Sequence, residues 1–286
     1  MKKSFKFIVL AMLLCVGFVF TGCGGGQLDS QVKVDVGNEK DYVACTEQDN
    51  FMVAMESLEN SEDAGSEETE EAKTQTIKFT ISAKLELVEG LINPEAEDPT
   101  AKVEVSLLAN AMISMYEEND EEKVGAAAKI TLNVGEEKVV YELYLKDNYL
   151  YANNGEEKIK VDMSEMMGDE SSSMPDFDPS VIIDPIMEAV QNFEQQKVLK
   201  KGSKSIYQLE LGEGQYLYIV INENAISQVY VQLNDFDISG LLTAISPELE
   251  MLGEMPLDFE ISLELSESAI QYPTFDEYKD PTAEVA

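Results

Sequence analysis

The sequence predicts an α+β protein built on one large, curved antiparallel β-sheet, a half-barrel, with two or three helices on its concave face. Apolar residues recur at every second position over stretches of 12–15 residues, which is typical of strands roughly 40 Å long with one buried face. Short turns join most of these stretches, so sequence neighbours are expected to pair antiparallel. A β-sandwich would need many shorter strands around a core between two sheets, and it fits this pattern less well.

The N-terminal segment predicts export. A start with three Lys is followed by an apolar run of about 14 residues, Phe7–Phe20, which is too short for an ordinary membrane span. The segment Phe20–Cys23 then resembles the lipobox of bacterial lipoproteins. That resemblance implies a signal peptide over residues 1–22 and lipidation of Cys23. The alternative is a plain secretory signal whose Cys is incidental.

Lipidation would place the protein on the extracytoplasmic face of the cell membrane, with the membrane as a partner through an N-terminal lipid. Two acyl chains suffice for stable anchoring. Removal of residues 1–22 takes away three Lys and no acidic residue, so the formal net charge changes from -36 to -39. An anionic bilayer would repel such a body, so the lipid and not the protein surface must hold it. Residues 23–45, in which three glycines follow Cys23, are expected to form a flexible tether with little packing.

The composition excludes several classes of function. The chain has 286 residues, with 56 acidic residues, 20 basic residues that are all Lys, and no His. It would repel nucleic acid, so we expect no nucleic-acid partner. His-based catalysis, His-bearing zinc sites and bidentate Arg clamps are also excluded. The sequence contains no nucleophile elbow, P-loop or dinucleotide fingerprint, so we expect no enzyme, no cofactor and no metal site.

After the tether, the mature chain is expected to form a helix. Thr46 is a candidate cap, and Phe51, Met52, Met55 and Leu58 share one face at helical spacing. An acidic segment up to Glu71 follows, which is typical of a solvated chain. Calcium binding there stays open, although EF-hand spacing is absent. With Cys23 acylated, Cys45 is the one Cys of the mature chain that remains, so no internal disulfide is available. Cys45 is expected to be a small, half-buried apolar residue.

About nine strands are predicted in two groups, from Thr76 to Met163 and from Tyr207 to Leu265. Asp147-Asn148 is expected to form a two-residue hairpin loop, because both residue types tolerate positive φ. Between the groups, Asp178-Pro179 and Asp184-Pro185 are helix-start signals for an apolar helix that ends near Phe193. A short helix is expected over Ile238–Ile245. The tail after Gln271 is expected to be extended and polar.

This order of elements resembles the LolA/LppX-like half-barrel lipoprotein carriers. The segment Tyr141–Gly155, followed by Lys158–Asp162, is similar to the central hairpins of that family. Tyr272–Tyr278 is similar to the closing motif of an uncharacterised lipoprotein family with that presumed fold. The resemblance implies one domain over residues 46–280 whose concave apolar face holds acyl chains of lipids or lipoproteins.

The candidate ligand-binding residues lie on the apolar faces of the strands and of the central helix. They are Phe79, Ile81, Val105, Leu107, Ile130, Tyr141, Leu143, Met163, Met167, Ile186, Met187 and Val190. The Met residues near Met163 suit varied apolar partners because unbranched side chains adapt their shape, although a loop covering the core explains them as well. The nearby tyrosines either face a ligand or form cross-strand pairs.

Two classes of function remain. The first is a binding protein for a lipid or another apolar molecule. The second is a non-catalytic interaction or spacer lipoprotein whose concavity is filled by its own helices. An open apolar cavity of several hundred Å³ would favour the first, and a filled cavity the second. Loose buffering of cations by the acidic surface is a third hypothesis. The sequence leaves the oligomeric state open.

Overall fold

The structure, a computed structural model, describes residues 26–62, 74–89, 98, 100–118, 121–163, 189–223, 225–237 and 255–280. In this part of the chain, twelve strands form a single antiparallel sheet in the order β1-β8-β9-β10-β11-β12-β2-β3-β4-β5-β6-β7. The strands are β1 Val43–Ala44, β2 Gln75–Val88, β3 Lys102–Glu118, β4 Glu121–Val134, β5 Glu137–Lys146, β6 Tyr149–Asn153, β7 Lys158–Asp162, β8 Gln196–Lys201, β9 Lys204–Gly212, β10 Gln215–Asn222, β11 Ala225–Asp237 and β12 Pro256–Ser266. The sheet is open, because β1 and β7 lie at its two ends. The predicted single antiparallel sheet is confirmed, with more strands than the nine expected.

Helix α1 spans Phe51–Glu62, and short 3-10 turns span Gly26–Leu28, Glu39–Asp41 and Phe193–Gln195. Of the helix predicted before Phe193, only residues 189–191 are described, and these are helical. The helix predicted over Ile238–Ile245 lies outside the described residues. The two or three helices expected on one face are thus represented by α1 and this last turn.

The start of α1 differs from the prediction. The backbone N–H of Val53 donates to Asn50 Oδ1 at 3.1 Å, so Asn50 caps the helix. The hydroxyl of Thr46, the predicted cap, donates instead to Asp49 within the preceding turn. Met52 is 44% exposed and does not join the buried face of Phe51 and Leu58.

The predicted hairpin loop is confirmed. Asp147 and Asn148 have φ values of 53° and 64°, and Lys146 pairs with Tyr149 across the loop. Two consecutive positive φ angles match the right-handed twist of the flanking strands, and Asp and Asn adopt them at low cost. These two residues therefore fix the register of β5 against β6.

Both faces of the sheet are buried at its centre, which corrects the expectation of strands with one wet face. The front face, which carries Phe79 and Ile81, packs in one apolar cluster with α1, and this cluster reaches β2–β4 and β8–β12. The back face carries Thr76, Thr80, Asn110 and Ser114, which are buried and hydrogen-bonded. The Thr80 hydroxyl donates to Asn110 Oδ1 at 2.8 Å, and the hydroxyls of Thr76 and Ser114 are 2.9 Å apart.

The first cover of the back face is the N-terminal strap, Gly26–Tyr42. Val32, Val34 and Val36 are half-buried and alternate with exposed residues. The backbone N–H of Val32 donates to Thr80 Oγ1 at 2.8 Å, and the ring of Tyr42 lies 6.3 Å from that of Tyr218. Over residues 26–45, the part that the structure describes, the chain is thus packed and not the flexible tether predicted for residues 23–45. The alternating valines form an extended apolar edge, which packs across the sheet.

The second cover is the C-terminal clasp, Glu267–Asp280. Phe275 stacks on Tyr151 with ring centroids 3.7 Å apart, and Tyr272 and Tyr278 pack beside them. Lys279 exchanges two backbone hydrogen bonds with β7, to Lys158 O at 3.0 Å and from Lys160 N at 2.8 Å, so the clasp covers part of that edge strand. The tail predicted to be merely extended and polar is therefore packed through its aromatic residues.

Alkaline pH is expected to destabilise the fold. Burial, with Asp49 adding to it, raises the pKa of the Cys45 thiol from 9.0 to about 11, and burial likewise raises the pKa of the Tyr42, Tyr230 and Tyr272 hydroxyls well above 10. The unfolded chain would lose these protons first, so unfolding would release protons and stability would fall with rising pH. Urea unfolding should give a free energy that declines from about pH 9 towards 11. A constant or rising value over that range would contradict the burial of these groups.

Candidate functional site

An apolar groove runs across the front face of strands β2–β6. It encloses about 60 Å³, which holds several waters but is well below the roughly 300–1,000 Å³ of pockets that enclose small molecules. The described residues that border it are Phe79, Ile81, Ala109, Ala111, Met112, Ile113, Ala126, Ala127, Ala128, Ile130, Leu143, Leu145 and Leu150. Within this part of the chain, the groove is therefore a narrow trough and not a large enclosed pocket.

Alanines on two neighbouring strands make the trough. Ala111 on β3 pairs directly with Ala128 on β4, and the next front-face pair towards the β3–β4 hairpin is Ile113 with Ala126. Their methyl groups leave a depression between larger side chains, because Phe79 on β2 lies opposite Ala111 and Leu143 on β5 lies opposite Ala128. Met112 and Ala127 also border the groove, but their side chains alternate to the back face, where they pack with Leu28.

The front face around the groove carries no charge. On β2–β7, every front-face position between the hairpin ends is apolar, from Ile77 and Met115 at one end to Leu87 and Val103 at the other. No side chain there supplies an acid, a base or a metal ligand. In the described ranges, no group of three or more His, Cys, Asp or Glu is arranged to hold a metal ion. The site is suited to apolar contact.

The structure brings together four of the predicted ligand-binding residues. Phe79, Ile81, Ile130 and Leu143 all border the groove. Val105 and Leu107 share the same face of β3 nearer to its start and are half-buried.

The other predicted residues lie elsewhere. Tyr141 is 43% exposed beyond the groove on β5, and Met163 is half-buried after β7. Val190 packs against the front-face cluster and not in the groove. Met167, Ile186, Met187 and the lipidation site Cys23 lie outside the described residues.

Sequence reasoning missed the alanines and left open whether the tyrosines face a ligand or form cross-strand pairs. By alternation alone, Ala109, Ala111, Ala126 and Ala128 are ordinary apolar strand positions, and only the β3–β4 register shows that Ala111 and Ala128 meet. Tyr149 and Tyr151 lie on the back face and pack with each other and with the clasp. These two are therefore structural pairs and do not face the groove.

Comparison with known protein families and with curated proteins gives no match. Among solved structures, the chain is similar to the crystal structure of LprF from Mycobacterium bovis, with 10% sequence identity and a TM-score of 0.29. The alignment covers 77% of this chain and 96% of that one. So loose a superposition transfers neither a residue role nor a ligand. None of the helices in the described part of the chain is long and apolar enough to cross a membrane.

Proposed function

We propose that the protein is a non-enzymatic, lipid-anchored extracytoplasmic lipoprotein that binds the hydrocarbon part of a lipid or acyl chain in the front-face groove. The observation that carries this proposal is the paired Ala111 and Ala128 at the bottom of a wholly uncharged face. A narrow trough between Ile and Leu side chains suits an unbranched chain. A polar head group would remain outside, since none of the described residues that border the groove has a side chain with an N–H or O–H group or an oxygen.

The energy available from such a trough is sufficient for measurable binding. Each buried methylene contributes about 0.8 kcal/mol, so about eight methylenes would contribute about 6 kcal/mol before the cost of association. This gross energy alone corresponds to a Kd of about 40 μM, so once the cost of association is included, Kd values weaker than that, towards the millimolar range, are expected for single-chain ligands. In a series of single-chain ligands of increasing length, each added methylene should tighten binding until the groove is filled.

A second candidate is a non-catalytic interaction or spacer lipoprotein whose front face is filled by its own side chains. The small enclosed volume of about 60 Å³ favours this reading. The two candidates differ in a single property, because only the first requires an apolar ligand to compete for the groove.

Filling the groove should weaken ligand binding without unfolding the protein. In Ala111→Leu and in Ala128→Leu, the added side chain would occupy the trough, and the Kd for a fluorescent single-chain fatty-alcohol probe should rise about tenfold or more, since two or more methylenes lose their contacts. The measurement is a fluorescence titration of the non-acylated mature chain. Native mass spectrometry of the same preparation tests for co-purified lipid.

Ala83→Leu is the matched control. Ala83 is a half-buried residue of β2 that shares the front face but does not border the groove. This variant should bind the probe like the unmodified chain, and urea unfolding of all variants separates lost binding from lost folding. If the unmodified chain binds no probe and carries no lipid, or if all three variants bind equally, the groove is not the ligand site.

A further inference from the structure

The chain is fixed to the back face immediately after the predicted lipidation site. Leu28 is 2% exposed and packs with Met112, Ala127 and Tyr144. Its carbonyl accepts a hydrogen bond of 3.0 Å from Asn110 Nδ2. The side chain of the preceding Gln27 accepts from Gln271 N at 2.8 Å and donates to Ala269 O at 3.3 Å. The start of the strap, at Gln27 and Leu28, is thus held by the sheet and by the C-terminal clasp.

Only a short stretch of chain separates Leu28 from the predicted lipidation site, Cys23, and therefore from a bilayer. From Cys23 to Leu28 the chain advances five residues, which reach at most about 17 Å when fully extended. Asn110 lies eight residues from either end of β3, or about 26 Å along the strand. A bilayer attached at Cys23 must therefore lie close above the middle of the back face and cannot reach round the strand ends.

The groove lies directly behind this attachment point. Ala111 and Ala128 border the groove, and their chain neighbours Met112 and Ala127 lie in the same back-face apolar cluster as Leu28. Since successive side chains of a strand point to opposite faces, the sheet itself separates the groove from Leu28.

The charge of the strap also suits a place beside the bilayer. Gly26–Tyr42 contains four acidic residues and two Lys, so its formal net charge is only -2 in a mature chain of -39. Two of the acidic residues form ion pairs with Lys of the sheet, Asp29 with Lys129 and Asp35 with Lys201. Repulsion of the strap from an anionic surface is therefore weaker than the net charge of the whole mature chain suggests.

From these observations we infer that a lipid on Cys23 holds the back face against the anchoring bilayer and presents the groove on the opposite side, away from it. The orientation depends on acylation of Cys23. Its consequence for the ligand rests on the proposed function. An apolar ligand would be exchanged with a donor or acceptor on the aqueous side and would not be drawn from the bilayer that anchors the protein.

The orientation can be measured without any ligand. The acylated protein, purified from bacterial membranes, would carry one fluorescent donor at a time on Gln31→Cys, Val124→Cys or Val139→Cys. Gln31 is exposed on the strap, whereas Val124 and Val139 are 54% and 39% exposed on the front face near opposite ends of the strands. Cys45 is buried and does not compete for the label. The vesicles would be phosphatidylcholine with an energy acceptor on some head groups.

Energy transfer from Gln31→Cys should exceed that from both front-face labels by about twofold or more, because the sheet and its side chains separate the two sides by roughly 10 Å or more. A Gly/Ser insertion of about 20 residues after Gly26, with an r.m.s. span of about 25 Å, should remove the difference. Equal transfer from the three labels with the short linker, stronger transfer from a front-face label, or a mass without acyl chains would overturn the inference. None of these results depends on whether the groove binds a ligand.

Discussion

Gly125→Ala is expected to lower the free energy of unfolding by about 2–3 kcal/mol, because it displaces Tyr272 and with it the C-terminal clasp. A Cβ atom on Gly125 would lie 2.1 Å from Tyr272 Oη. That hydroxyl donates to Leu145 O at 3.2 Å, and its ring packs against Tyr144 at 5.9 Å between centroids. In an ordinary strand, Ala is more stable than Gly by roughly 0.5–1 kcal/mol, so the close approach reverses the usual sign. Urea unfolding measures the change.

Removing the clashing atom is the control for this prediction. In Gly125→Ala/Tyr272→Phe, the nearest atom of the ring would be the carbon that carried the hydroxyl, 3.4 Å from the new Cβ, which is a tolerable contact. Tyr272→Phe alone should cost about 1 kcal/mol for the lost hydrogen bond. The double variant should therefore be more stable than Gly125→Ala, with a favourable coupling energy in the double-mutant cycle. A neutral Gly125→Ala, or a double variant that shows the sum of both losses, would contradict the close approach.

The strands and turns were predictable because their signals are local. Alternation over Ile77–Leu87 specifies one apolar face of β2, and Asp147-Asn148 specifies a hairpin loop from two residues alone. The cover of the back face was not predictable in the same way. Thr80 and Asn110 have the polarity of solvent-facing residues, and only the strap, which lies 48 and 82 residues away in sequence, accounts for their burial.

The same distinction applies to the groove. Its walls, such as Ile81 and Leu143, follow from strand alternation because bulky apolar residues mark the buried face. Its floor depends on register, since Ala111 forms a depression only because Ala128, and not a larger residue, lies opposite. A sequence reports side-chain size at each position, but the shape of a surface depends on which residues become neighbours across strands.

Gln196 is expected to be the most sensitive polar residue of the front face, and Gln196→Leu should lower the free energy of unfolding by about 3–5 kcal/mol. Gln196 is 0% exposed at the start of β8. Its Oε1 accepts from Phe51 N at 3.0 Å, and its Nε2 donates to Ala189 O at 3.0 Å and to Val190 O at 2.9 Å. Leu has a similar volume but would remove all three of these buried hydrogen bonds. Urea unfolding and the near-ultraviolet signal of Phe51 and Tyr207, whose rings lie 5.7 Å apart, measure the effect.

Gln196→Glu separates the hydrogen bond that the side chain accepts from Phe51 N from those that it donates to Ala189 O and Val190 O. A carboxylate would still accept from Phe51 N, but it would place a buried negative charge beside the carbonyls of Ala189 and Val190, to which it donates nothing. Protonation would remove the charge and restore one donor, so the folded-state pKa of this Glu should be raised and the variant should gain stability as pH falls from about 7 to 5 relative to the unmodified chain. Gln196→Leu lacks that group and should show no such gain. If Leu and Glu variants were equally stable across this range, the side chain of Gln196 would not be the link that joins α1 and the helical turn at 189–191 to the sheet.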